Sequence, residues 1–478
     1  MKLWLKIAMV AAMTIAILVP LMMISSVIQE RQRYRAQAVA DIAAAVGQAQ
    51  VLAGPVLVVP YSERVTRQVQ DANGVLREVA ERRDAQWHFF PKTLQAAGEL
   101  QPDIRRRGLH RVRVYDWKGA IEARFDVRIP DDGARVIGRP YLSWGIADVR
   151  GLRGTPVLEV AGRRMMPLQG SGVSVADLAE TLPPEANERQ RALAAAAAAG
   201  VDPRPAPGPG LHVVLEEAPV AGQVLAFDAR LAMTLAGTED FAMLPLGYVN
   251  HLRLHSPWPH PSFSGILPRH EVGARGFSAR WQVDALATNA QQRWRDGSWV
   301  GDAGDVARVS LVEPVNAYAQ ADRATKYGVL FVVLTFVGFF MFELLRHVRV
   351  HPIQYGLVGL ALALFFLLLL SLSEHIAFGW AYVTAAGACI GLIGFYLSAV
   401  LKSPARGLGF AAMLSALYAA LYGLLMLEDN ALVVGSGLLF AILAAIMLAT
   451  RKVDWYALAA RAYPPRGPMP ANDASAQA

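Results

Sequence analysis

Two patterns of apolar and polar positions divide this chain, and they scarcely overlap. Between Lys326 and Thr450 apolar residues follow one another almost without relief: 327–345, broken only by Glu343, then 353–373, about 375–401, 407–427 and 431–450. Each run is about as long as a helix needs to cross a hydrocarbon core of roughly 30 Å. Inside lipid the backbone must satisfy its own hydrogen bonds, so these runs are expected to be helices. Another apolar run, about 3–28, lies between Lys2 and Lys6 on one side and Arg31, Arg33 and Arg35 on the other. The apolar core of a secretory signal spans only about 7–15 residues, with small residues at the cleavage site. Here the run is longer, and Ala36 and Ala38 lie well beyond it. The pattern predicts an uncleaved anchor helix in which Pro20 is a tolerated kink.

Between these two regions the period changes. Val39, Ile42 and Val46 keep helical spacing past the anchor, and Gly54-Pro55 closes that pattern. Residues 55–61 then read as a buried strand, and 65–79 as a hairpin turning at Asp71-Ala72-Asn73-Gly74. Further short strands are predicted at 109–115, 120–129, 156–160, 211–216, 223–235, 251–255 and 276–285. Short helices are predicted at 175–181 and 185–199, followed by a Pro/Gly linker at 200–210. The expected fold class is an α-helical polytopic membrane protein of six transmembrane helices with a large β-rich, sandwich-like extracytoplasmic domain. Its plan is an anchor at 1–28, a β-rich domain at 29–326, a five-helix bundle at 327–450 and a tail at 451–478. The β-rich part reads either as lobes at 51–180 and 211–320 joined by the Ala/Pro-rich stretch 185–210, or as one large sandwich with an insertion.

Loop charge orients these spans. Short loops rich in Lys and Arg stay cytoplasmic. Arg346 and Arg349 follow the first run of the bundle, Lys402 and Arg406 lie in the loop after the third, and Arg451 and Lys452 open the tail. The alternate connections carry acids: Glu374 in one, Glu428 and Asp429 in the other. Both termini are therefore expected in the cytoplasm, with 29–326 in the periplasm. Composition agrees: 54% hydrophobic residues and a mean hydropathy of +0.30 suit a membrane region joined to a large aqueous one. Much of the net charge of +7 sits where the positive-inside rule places it, so no nucleic-acid partner is expected. The single cysteine, Cys389, falls within a membrane run, which excludes an intrachain disulfide and a cysteine metal site.

Candidate chemistry is sparse. No Gly-x-Ser-x-Gly elbow, Walker A loop or HExxH motif is present, and no catalytic, cofactor or metal residue is assigned. His251, His255, His260 and His270 fall close together; a metal site is one reading, and packing with Trp258, Phe263 and Trp281 is the favoured one. Glu343 with His347 at i+4 reads as a local helix pair. Gly387, Gly391 and Gly394 read as a close helix contact. Arg323, Lys326, Glu374, Glu428 and Asp429, with Arg31, Arg33 and Arg35, fall at one membrane depth and form a candidate interfacial charge cluster.

Several stretches carry a family resemblance: Glu30-Arg31-Gln32-Arg33-Tyr34-Arg35, Gly54-Pro55 through Pro60-Tyr61, Ser264-Gly265-Ile266-Leu267-Pro268-Arg269, and Gly276-Phe277-Ser278-Ala279-Arg280-Trp281. His351-Pro352-Ile353-Gln354-Tyr355, Ser371-Leu372-Ser373-Glu374-His375, Leu427-Glu428-Asp429 and Asp454-Trp455-Tyr456 complete the set. Through these the chain resembles, over nearly its whole length, the CreD family of cell envelope integrity proteins. The resemblance implies an inner-membrane protein of a two-component regulon, linked to envelope integrity, β-lactam resistance and colicin tolerance, with no established reaction, cofactor or catalytic residue. The expected partners are the lipid bilayer and an unidentified periplasmic protein or cell-wall component. The function expected is non-enzymatic, the alternative being a transporter or membrane-embedded enzyme acting on lipid-linked material. Topology reporters fused near Gly74 or Asp429 should report periplasm, and those near Pro404 or Trp455 cytoplasm; a periplasmic signal at Pro404 would overturn the six-span plan.

Overall fold

The computed structural model describes residues 3–70, 76–131, 135–170, 209–296, 305–311, 317–346, 350–426 and 431–451. The chain divides into two compact units, Met1–Tyr34 with Val315–Ala478, and Arg35–Pro314.

Helices dominate the first unit. Helix α1 runs from Leu3 to Val46 and contributes its first part here. With the short α2, Ala290–Asp296, counted in the other unit, the bundle helices are α3 Ala317–Arg346, α4 Pro352–Ser373, α5 Phe378–Val400, α6 Pro404–Met426 and α7 Ala431–Thr450. Among the described residues, five helices are long and apolar enough to cross a membrane: Ala8–Val46, Ala317–Met341, Pro352–Ser373, Phe378–Val400 and Pro404–Met426. In α7 the apolar segment described, Gly435–Ala444, is shorter. Helix α3 starts ten residues ahead of its predicted apolar run because Ala317–Lys326 is amphipathic, burying Ala321 and Ala324 and exposing Lys326.

Ile17, Leu21, Ile24 and Ile28 of α1 share one apolar cluster with Phe336, Phe339, Phe365 and Phe366. Gly359 leaves room for these side chains: an added Cβ there would lie 2.7 Å from Ile17 Cγ1 and 2.8 Å from the Phe336 ring. The expected glycine contact in α5 holds only in part. Gly394 faces Ala411, but among the described residues nothing lies within 4 Å of a Cβ at Gly387 or Gly391. Periodicity alone could not tell a packed stripe from an open one. Buried hydroxyls and the thiol find partners inside the bundle, as lipid requires. Tyr382 donates to Tyr418 O at 2.7 Å, Tyr418 donates to Cys389 Sγ at 3.1 Å, and Cys389 donates to Ala361 O at 3.4 Å.

Two sheets make up the second unit. One joins β1 Gln50–Gln70 to β2 Leu76–Phe89, β5 Val136–Ile137, β6 Tyr141–Ile146 and β12 Asp240–Met243, and extends through β9 Leu168–Gln169, β10 Gly210–Val214, β14 Pro261–Gly265 and β17 Ala307–Leu311. The other has the order β15 Arg269–Gly273, β16 Gly276–Asp284, β13 Val249–Ser256, β3 Thr93–Arg107, β4 His110–Arg128, β11 Val224–Thr238, β7 Leu152–Val160 and β8 Arg163–Met165. Their inner faces supply a single apolar cluster, with Leu57, Trp144 and Phe241 from the first and Trp117, Phe125 and Trp281 from the second. Trp117 stacks on Phe241 at 5.4 Å between ring centroids. Its indole lies across the facing pair Gly98 and Gly119, where any Cβ would come within 2.4 Å of the ring.

Strands are longer than predicted. The two short strands expected at 109–115 and 120–129 are one, β4, because Gly119 makes room for Trp117 instead of ending the strand. The hairpin of β1 and β2 closes with Gln70 opposite Leu76, and its expected turn at 71–74 lies outside the described residues. So do the helices expected at 175–181 and 185–199 and most of the stretch 185–210. Strands before and after that stretch alternate within both sheets: β6 pairs with β10, β4 with β11, and β3 with β13.

Helix α1 ends at Val46, and Gly47 follows with φ +138° and no room for a Cβ beside Ala236 O. Its last turn packs Ile42 against Val112 and Val114 of β4. The terminal carbonyls, which lack partners within the helix, accept from guanidiniums: Arg150 reaches Ala44 O at 3.3 Å and Arg153 reaches Val46 O at 3.4 Å. Beneath them lies a buried polar knot. Gln50 Nε2 donates to Asp148 O and to Ala236 O, both at 2.9 Å, and Gln50 Oε1 accepts from Asp148 N at 3.2 Å. Tyr115 Oη donates to Asp240 O at 2.6 Å and accepts from Gln50 N at 3.3 Å. Burial raises the Tyr115 phenol well above its ordinary value, so it stays a neutral donor. Burial also pushes the Asp148 carboxyl up, but the Arg150 side chain and the backbone N–H groups of Gln48 and Arg150 outweigh it and hold the carboxyl below the usual carboxylate range.

A depressed carboxyl adds stability that is complete above the unfolded pKa of about 4 and disappears as pH falls through the folded value. Asp148→Asn should therefore cost about 1–3 kcal/mol at pH 7 and remove part of the acid sensitivity, read by thermal melts of the full chain in detergent from pH 7 to pH 3. An unchanged melt and acid profile would remove Asp148 from this role.

Candidate functional site

On the outer face of the second sheet, alternation along β13 and β16 turns polar residues outward. His251, Arg253 and His255 alternate with buried Leu252 and Leu254, and Ser278, Arg280 and Gln282 alternate with buried Ala279 and Trp281. Register then sets like charges side by side. Arg253 is directly opposite Arg280, and Arg280 is directly opposite Arg269 of the edge strand β15. The three exposed arginines form a row across neighbouring strands, and they have no ion-pair or hydrogen-bond partner among the described residues. They line a groove of about 930 Å³, bordered by His251, Gln282, Glu271 and Asp284. On the same face three arginines meet acids across the strands: Arg230 with Glu122 at 3.2 Å, Arg124 with Asp228 at 2.9 Å and Arg164 with Glu159 at 3.4 Å.

The histidines divide between the two faces. His251 and His255 project outward with the arginines, whereas His270 packs its ring on Phe263 at 4.8 Å, and Phe263 in turn meets Trp281 edge-on at 6.1 Å. No group of three or more His, Cys, Asp or Glu suited to a metal ion occurs among the described residues. The arginine row was missed in sequence because its members come from three segments. Only the period-two alternation of His251–His255 and Ser278–Gln282 pointed to that face.

Of the predicted interfacial charges, Glu374 is the best placed. It lies at the C-terminal end of α4 with its side chain only 9% exposed, accepts a hydrogen bond from Tyr318 at 3.3 Å and pairs with Arg31 of α1 at 3.6 Å. Arg323 and Lys326 sit on α3, where Lys326 pairs with Asp322 at 2.7 Å. Glu428 and Asp429 lie outside the described residues. The expected pair of Glu343 with His347 cannot be placed, since His347 is also outside them. Buried Glu343 accepts from Val350 N at 3.1 Å and from Tyr355 Oη at 2.9 Å, which ties α3 to the start of α4. That start is set locally: His351 and Gln354 form a reciprocal capping box, and Pro352 occupies the first turn.

A family model described as inner membrane protein CreD matches residues 2–456. The chain is also 34% identical over 451 residues to inner membrane protein CreD of Escherichia coli K12, covering 92% of this chain and 91% of that relative. The chain belongs to the CreD family. As a CreD protein with several membrane-length apolar helices, it is a multi-pass protein of the inner membrane. Two of the three groove arginines, Arg269 and Arg280, fall in stretches that carried the resemblance to CreD.

Within this CreD chain, Arg31→Glu places two carboxylates together at the end of α4. The expected cost lies between the roughly 1 kcal/mol of an exposed pair and the roughly 3 kcal/mol of a broken buried one. Membrane accumulation should fall, and adding Glu374→Arg should restore it in part. A silent single reversal, or no rescue in the double variant, would show that the pair does not hold the helices.

Proposed function

We propose that this CreD protein is a non-enzymatic envelope factor whose β-rich domain binds a periplasmic protein or a cell-wall component. The supporting observation is the groove over β13, β15 and β16, where three exposed arginines stand in register with no described partner. Like charges directly opposite one another on a sheet are destabilising, and a binding surface supplies a reason to retain them. The reading further places the β-rich domain in the periplasm and both termini in the cytoplasm, with α7 as a sixth span. Its support is the alternation of Arg346, Arg349, Lys402, Arg406, Arg451 and Lys452 with Glu374, Glu428 and Asp429. The resemblance adds a role in the envelope-stress and β-lactam response under two-component control.

A photo-crosslinking residue placed in living cells at His255 or Gln282, both exposed beside the row, should capture a discrete envelope component. The same probe at Arg163, near the far edge of the sheet, should not. Identical adducts from the two places, or none from either, would overturn binding at this groove.

A further inference from the structure

Strand spacing is about 4.8 Å, so Arg253, Arg280 and Arg269 present three guanidinium groups along roughly 10 Å of one straight row. The row continues into Ala97, Ala120 and Ala232 on β3, β4 and β11, small residues that add neither charge nor bulk beside it. One outward position along the strands are Glu271, Ser278 and His255 on one side, and His251 and Gln282 on the other; Asp284 lies a further position out. Glu271 and Asp284 are thus the carboxylates of the groove, and neither is opposite an arginine. Elsewhere on this face Arg230, Arg124 and Arg164 each meet an acid across the strands. At this row, by contrast, three arginines on neighbouring strands stand opposite one another, and the fold accepts their repulsion.

Resting on the binding role proposed above, we infer that the row Arg253, Arg280 and Arg269 is a site for a ligand carrying two adjacent phosphate groups. A carboxylate offers two oxygens, which a single guanidinium fork saturates. A phosphate carries up to about two negative charges and three acceptor oxygens, so neighbouring forks can share it. Two linked phosphates then span the row with every fork engaged. Ser278 and His255, one position away, supply a hydroxyl and an imidazole to a ligand wider than the row. The diphosphate belongs either to a soluble molecule or to a lipid headgroup, and the chemistry of recognition is the same for both.

The test uses the full chain in phosphatidylcholine nanodiscs with inorganic pyrophosphate as probe, followed by calorimetry. Pyrophosphate should bind, and more weakly as salt rises. Arg280→Gln should weaken binding about tenfold, Arg280→Lys should retain part of it as a point charge without the fork, and the triple variant R253Q/R269Q/R280Q should abolish it. All three side chains are exposed, and circular dichroism checks that the variants fold. Citrate, a polycarboxylate, should bind at least about tenfold more weakly than pyrophosphate. Binding of the same discs to vesicles containing diacylglycerol pyrophosphate, stronger than to free pyrophosphate, assigns the lipid source; equal or weaker binding assigns the soluble one. No pyrophosphate binding at low salt, equal binding by the triple variant, or citrate matching pyrophosphate would overturn the phosphate site. Any of these results with capture at His255 intact would leave the binding role standing; loss of the capture as well would remove both.

Discussion

Everything in the β-rich unit is arranged about one buried amide. Gln50 is 1% exposed and uses both ends of its side chain on backbone groups from distant parts of the chain, Asp148 and Ala236. Its own N–H is taken by Tyr115, which also serves Asp240. A buried polar group left without a partner costs far more than a satisfied one contributes. This knot therefore has essentially one arrangement in which it is not a liability, and that arrangement sets the start of β1 against β4, β11 and β12. Gly47 and Gly151 allow it, since a Cβ on either would strike Ala236 O. Arg150 and Arg153 complete it by binding the last carbonyls of α1, so the end of that helix is clamped where cations suit its negative pole.

In the helical unit the same rule operates with less water to relax it. Tyr382, Tyr418 and Cys389 link α5, α6 and α4 by hydrogen bonds within an apolar cluster. Glu343 is a carboxylate buried in the bundle, and an intramembrane acid invites a reading as part of a proton or substrate path. It accepts from a backbone N–H and from a tyrosine in the next helix, and so fastens the α3–α4 connection. Arg31 and Glu374, with Tyr318, join three helices in the same manner. These charges are accounted for by the structure they hold.

The arginine row differs in that nothing within the described chain accounts for it. Charges that stabilise a sheet face opposite charges across the strands, as most on this face do. Three like charges in register weaken the sheet locally, at its β15 edge. Unpaired Arg side chains also blunt an edge against pairing with another chain, but Arg253 is two strands in from the edge, where that purpose does not apply. The proposed ligand of opposite charge would account for all three positions together.

The membrane-length helices were legible in sequence because a backbone in lipid has a single solution, and twenty or so apolar residues announce it; of the six spans expected, five are long and apolar enough among the described residues. Helices α4 and α7 begin and end close to the limits of their apolar runs, and the caps at His351-Pro352 and Glu374 are written in adjacent residues. The strands predicted at 251–255 and 276–285 correspond to β13 and β16. Other features were decided only in three dimensions. Gly119 reads as a strand end until Trp117 is seen lying across it, and Gly387 and Gly391 read as a contact although no described residue lies within 4 Å of a Cβ on either. Arg253, Arg269 and Arg280 are ordinary surface residues when met one at a time. Side-chain direction follows from period two along a single strand, but which residues stand opposite depends on register between strands, and register is set by packing of the whole sheet. That is the physical reason why the elements could be read from the chain and the site could not.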